Sequence, residues 1–106
     1  TCIGSNSIIY QDDQRLYYDT WAYEDNHKRT EEEKNLMCFH RGELPINVNS
    51  CFGGLMIYPS SILKHDIKYT SKDCDHTTLH KQLKDLNYNI ILNPSQIVLY
   101  SEHYYV

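Results

Sequence analysis

Apolar positions in this chain come in short runs broken by polar clusters. Ile8-Ile9-Tyr10 follows a Gly4-Ser5-Asn6-Ser7 turn signal and reads as a short strand. Residues 16–24 (Leu-Tyr-Tyr-Asp-Thr-Trp-Ala-Tyr-Glu) are rich in aromatics and suit a strand or an extended segment. Asp25-Asn26-His27-Lys28-Arg29 reads as a polar surface loop. Thr30 with Glu33 three residues on forms a capping box, and Glu31 and Glu32 favour the first turn. A short helix from 31 to about 38 is expected, ended by the Arg41-Gly42 loop. Pro45 opens an extended stretch, Ile46-Asn47-Val48. Cys51-Phe52-Gly53-Gly54-Leu55-Met56-Ile57-Tyr58 reads as a buried strand, stopped by Pro59-Ser60-Ser61, and Ile67-Lys68-Tyr69 offers another short one.

The clearest periodicity follows Asp75. Leu79, Leu83 and Leu86 stand at i, i+4 and i+7, while Lys81, Lys84 and Asp85 face outward. His80 is set apart from the Leu79 face and is expected in solvent. Asp73 or Asp75 can cap the helix start, and Asn87 suits a left-handed end. Ile90-Ile91-Leu92 reads as a strand closed by Asn93-Pro94-Ser95, with Ile97-Val98-Leu99-Tyr100 as a last one. Strands and helices alternate, so the class expected is α/β or α+β with a mixed sheet.

Composition narrows the function classes. The net charge is −4, and no basic stripe could neutralise a run of phosphates, which argues against nucleic-acid binding. No apolar run approaches the roughly 18–20 residues that cross a bilayer. Cys2, Cys38, Cys51 and Cys74 form no CxxC or CxC pair, so zinc-ribbon and thioredoxin-like readings lack support. Small half-buried thiols are the main reading, and the compartment stays open between cytoplasm and secretory lumen.

Four places could carry chemistry. In Tyr17-Tyr18-Asp19-Thr20-Trp21-Ala22, an acid between a Tyr pair and a Trp suits a sugar platform: aromatic faces stack on pyranose C–H faces while a carboxylate accepts from hydroxyls. The plain alternative is a strand with core aromatics. In Asn49-Ser50-Cys51-Phe52-Gly53-Gly54, paired glycines suggest close approach of a ligand or another chain, or a bulge. Asp73-Cys74-Asp75-His76 at a helix start has more acid than a cap needs and could hold a general base. His76 and His80 have metal-ligand spacing, but Thr77 stands where a zinc-protease helix has Glu.

Taken in order, with Tyr58 and Asn93-Pro94, these segments resemble the second half of a GT-A glycosyltransferase. They are similar to the group containing capsule-associated mannosyltransferases and related viral and bacterial sugar transferases. The likeness covers about residues 17–95 and implies the carboxyl-terminal, acceptor-side part of that Rossmann-like fold. The donor-binding half, with its Asp-x-Asp metal motif, is expected upstream, and a fragment is expected because the chain begins inside a strand pattern. Asp12-Asp13 lacks that spacing. The family has Glu where this chain has the shorter Asp75.

The resemblance implies transfer of a sugar from a nucleotide-sugar donor to a saccharide or protein acceptor hydroxyl, with Mn²⁺ or Mg²⁺. It makes Asp75 the candidate base. Asp19, Trp21, Gly53, Gly54, Asp73 and His76 would bind substrate, and a late His would make His103 a metal ligand. On the same grounds Cys51 and Cys74 would be the partners of any disulfide. The competing readings are a non-catalytic carbohydrate- or protein-binding module, and a metal-dependent hydrolase using Asp73, Asp75, His76 and His80.

Overall fold

The computed structural model describes residues 1–67 and 75–100; Asp73, Cys74 and His103 lie outside them, as do Lys68 and Tyr69 of the suggested strand. The fold is a small α/β domain on a mixed sheet. The elements are β1 (Cys2–Gln11), β2 (Gln14–Tyr17), α1 (Glu31–Asn35), β3 (Ile46–Val48), β4 (Met56–Ile57), α2 (Asp75–Asp85) and β5 (Ile90–Leu99), with one 3-10 turn at Ser60–Lys64. The strand order is β2-β1-β5-β3, and β4 pairs with the start of β1. β1 and β5 run parallel while the other pairs are antiparallel.

The β1–β2 hairpin turns through Asp12 and Asp13, both left-handed at φ 49° and 65°. Aspartate tolerates that region better than most side chains, and the twist of such turns matches the strands they join. α1 has the expected box: Glu33 N–H donates to Thr30 Oγ1 at 3.1 Å, and Thr30 N–H donates to Glu33 Oε1 at 3.2 Å. The helix stops at Asn35, short of 38, and buries no residue that would extend it. α2 ends as read, with Asn87 at φ 67°. It lays Leu79 and Leu83 into a core with Cys2, Tyr17, Val48, Cys51, Ile90 and Leu92. Leu86 stays exposed.

Several expectations are corrected. Gly4-Ser5-Asn6-Ser7 is not a turn but the middle of β1. Gly4 is there because a side chain would collide with Cys51 Sγ. The aromatic segment leaves the sheet after Tyr17. Cys51–Tyr58 is not one strand, since Gly53 and Gly54 make a turn at φ 76° and 91° and only Met56–Ile57 pairs. The last two strands are one, β5, running through Asn93-Pro94-Ser95. Opposite Ser5 and Asn6 the register jumps from Asn93 to Ile97, so the Asn-Pro-Ser signal makes a bulge rather than a break. The helix His80 is buried and not solvated.

Candidate functional site

The polar centre of β1 organises what surrounds it. Ser5, Asn6 and Ser7 are fully buried, and each ties a loop to the sheet. Ser5 Oγ donates to the Leu55 carbonyl at 2.6 Å and accepts from Gln96 Nε2 at 2.6 Å. Asn6 Nδ2 donates to the carbonyls of Phe39 and Pro94, both at 3.0 Å. Ser7 Oγ accepts the Asp19 backbone N–H at 3.0 Å. Buried polar groups need partners of this kind, and here the partners are loop backbones.

The first two motifs of the sequence are joined at both ends. Gly53 N–H donates to Asp19 Oδ2 at 2.9 Å, across a separation of 34 residues. Glu24 N–H donates to the Ser50 carbonyl at 2.9 Å, and Asn49 N–H to the Glu24 carbonyl at 2.7 Å. A side chain on Gly53 would run into the Ser5 carbonyl, so the turn lies directly on β1. A side chain on Gly54 would meet Tyr100 OH at 2.8 Å, and Tyr100 stacks on Tyr18 with ring centroids 4.1 Å apart.

The helix motif meets the second one through aromatic contact and a buried imidazole. His76 stacks on Phe52 with centroids 3.9 Å apart and planes 11° from parallel. One helical turn on, His80 Nδ1 lies 2.8 Å from Ser50 Oγ and Nε2 lies 2.7 Å from Tyr58 OH. Burial, with His76 charge adding to it, pushes the His80 pKa down to about 4. The imidazole is therefore neutral at pH 7, donating through one nitrogen and accepting through the other. Ser50 and Tyr58 flank the Gly53-Gly54 turn, so His80 closes that loop onto α2. Sequence reasoning missed this role. The available signal was Ser50 and Tyr58 bracketing a paired glycine, but nothing local says that a helix histidine lies between them.

Two clefts adjoin here, sharing Glu24 and Thr77. One, of about 360 Å³, lies between Glu24 and Ser50 on one side and Thr77, Lys81 and Lys84 on the other. The second, of about 410 Å³, is lined by Thr20, Trp21, Glu24, Lys34, Asn35 and Thr77. Trp21 is 86% exposed, while the next residue, Ala22, is buried. Gly53 and Gly54 line neither cleft.

Burial pushes the Cys51 thiol up to about 12, and it donates to the Ile91 carbonyl at 3.4 Å. Cys51 is a free thiol among the described residues, and Cys74, its partner in the suggested disulfide, lies outside them. Burial likewise raises the Tyr17 phenol, with Cys51 and Asp19 adding to it. For Asp25, burial works upward, but Arg29 at 2.6 Å, the His27 N–H and the Tyr23 hydroxyl outweigh it and hold the carboxyl below its usual range.

Of the residues singled out in the sequence, Asp19 and Gly53 are in contact, His76 joins them through Phe52, and Trp21 stands apart over its own cleft. Asp75 is the first residue of α2. Among the described residues no three His, Cys, Asp or Glu side chains converge to hold a metal, so the Mn²⁺ or Mg²⁺ implied by the resemblance finds no ligand set there. His76 and His80 do not make one, because both nitrogens of His80 are engaged. Among the same residues no helix is long and apolar enough to cross a membrane. Comparison with protein-family models, with curated proteins and with solved structures finds no match.

Proposed function

We propose that this chain is the acceptor-side part of a GT-A glycosyltransferase, moving a sugar from a nucleotide-sugar donor to an acceptor hydroxyl. The observation that carries the reading is the convergence of separate motifs. Asp19 holds Gly53, the Glu24–Ser50 bridge closes the other end, and Phe52 rests on His76 beside the start of α2. Residues that share a chemical task must meet in space, and these meet although far apart in sequence.

In this reading Asp75 takes the proton of the acceptor hydroxyl as its oxygen bonds to the anomeric carbon. The bond from that carbon to the nucleoside diphosphate breaks as the new one forms. Removing a general base costs about 10²–10⁴-fold in rate. The hydrolase alternative loses support because His80 spends both nitrogens on Ser50 and Tyr58.

The test is nucleotide release from a panel of UDP- and GDP-sugars with Mn²⁺ by the full-length protein, which in this reading carries the donor-binding half, beside its Asp75→Asn variant. Release that the variant loses by about 10²-fold or more is expected. Release that Asp75→Asn keeps would remove Asp75 from the chemistry. With no release from any donor by the folded full-length protein, the reading becomes a non-catalytic carbohydrate-binding module, which exposed Trp21 beside a polar cleft favours.

A further inference from the structure

The two adjoining clefts are not accounted for by the convergence of Asp19, Gly53 and His76. Each lies within the roughly 300–1,000 Å³ of ordinary ligand sites, and they meet at Glu24 and Thr77. Their walls carry hydroxyls, amides and both signs of charge, with the Trp21 and Tyr23 rings in the lining of the second cleft. That mixture suits neither an apolar ligand, which would strand the polar walls unpaired, nor a polyanion, which would meet Glu24 and Glu31.

Trp21 itself is 86% exposed on a segment whose backbone is tied down on both sides. Its segment is pinned before it by Asp19, held by the Ser7 hydroxyl and by Gly53 N–H, and after it by buried Ala22 and the Glu24–Ser50 bridge. Thr20 N–H also donates to the Tyr18 carbonyl at 2.9 Å, and Tyr23 N–H to the Thr20 carbonyl at 3.3 Å. A loop whose backbone is already ordered loses less conformational entropy when it binds. At the far end Lys81 and Lys84 form no ion pair among the described residues, whereas Lys34 lies 3.8 Å from Glu31.

We propose that this groove binds an oligosaccharide of at least two sugars. Trp21 stacks on the C–H face of one ring, and Thr77, Lys81 and Lys84 meet the hydroxyls of the next. This rests on the transferase reading for its role, as the binding site of an extended acceptor, but its test does not depend on catalysis.

Trp21 is the chain's one tryptophan, so its fluorescence reports on the groove directly. The full chain, shown folded by circular dichroism, is titrated with gluco- and manno-configured trisaccharides of α and β linkage, and with the matching monosaccharides. A saturable change in Trp21 emission is expected with at least one trisaccharide, at least about tenfold tighter than with its monosaccharide. Thr77→Tyr should fill the junction and bring trisaccharide affinity down to the monosaccharide level. If that variant fails to fold, Lys81→Ala with Lys84→Ala, both at exposed positions, should weaken the trisaccharide alone. No saturable response from any trisaccharide, equal affinity for one sugar and three, or variants without effect would overturn the proposal. Nucleotide release by the full-length protein distinguishes the two failures. Release without glycan binding overturns the groove alone, and glycan binding without release overturns only the transferase reading.

Discussion

At the scale of single residues, His80 is tightly constrained. It is fully buried, with a hydroxyl on each nitrogen, and the core gives no room to hydrate a charge. Its folded pKa near 4 lies below the roughly 6.5 of a free imidazole. Between those values the unfolded chain binds a proton that the native protein refuses. The contribution is therefore complete above pH 6.5 and is lost as pH falls towards 4, amounting to a loss on the order of 3 kcal/mol. Denaturation in urea at pH 7, 5.5 and 4.5 should show wild-type stability falling across this window, and His80→Gln should flatten part of that fall. The ring protons of His80 should keep their neutral shifts well below pH 6. Titration of His80 near 6.5 would mean that the imidazole is not enclosed as described.

At the scale of elements, the Gly53-Gly54 turn shows two glycines needed for different reasons. Both are left-handed, which costs a side-chain-bearing residue about 1–2 kcal/mol. At Gly53 the new methyl would also strike backbone, the Ser5 carbonyl in the central strand. At Gly54 it would meet side chains and not backbone, the Tyr100 hydroxyl at 2.8 Å and Val98 Cγ1 at 3.2 Å. Gly53→Ala should therefore cost clearly more than about 2 kcal/mol, and Gly54→Ala less than Gly53→Ala. Equal losses in denaturant unfolding would show that the turn is not seated on β1.

The same turn marks where sequence reading fails. Periodicity found α2 with its Leu79–Leu83 face and its Asn87 end, and the capping box found α1, because those signals are local. The Cys51–Tyr58 run is apolar enough for a strand, but its conformation is decided by Ser5 and Asp19, which are distant in sequence. Ser5-Asn6-Ser7 misled in the opposite way. Small polar residues usually mark turns, yet here they are buried mid-strand because three loops bring backbone groups to them. In the candidate site, the Asp19, Gly53 and His76 motifs were legible as residue types in order. The Ser50–His80–Tyr58 link and the groove beside Trp21 exist only in the folded chain.

At the scale of the whole molecule, everything hangs on the parallel β1–β5 pair. β1 also carries β2 and β4, and β5 also carries β3, so among the described residues no strand pairs without one of these two. The pair joins opposite ends of the described chain, Cys2 opposite Ile90 and Ile8 opposite Leu99. Contacts so distant in sequence form late, because loop closure must be met before they stabilise anything. Ile90 and Leu92, both fully buried, together contribute about 3–6 kcal/mol, a large share of the roughly 5–15 kcal/mol that holds a domain of this kind. Without β5, β3 has no partner strand, and Leu79 and Leu83 lose the sheet residues they pack against. A chain ending at Tyr88 should show neither native far-UV circular dichroism nor a cooperative urea transition, although it keeps α1, the β1–β2 hairpin sequence and all of α2. If that shortened chain melted cooperatively, the core would have to lie between α2 and the Asp19–Gly53 loops rather than on the sheet.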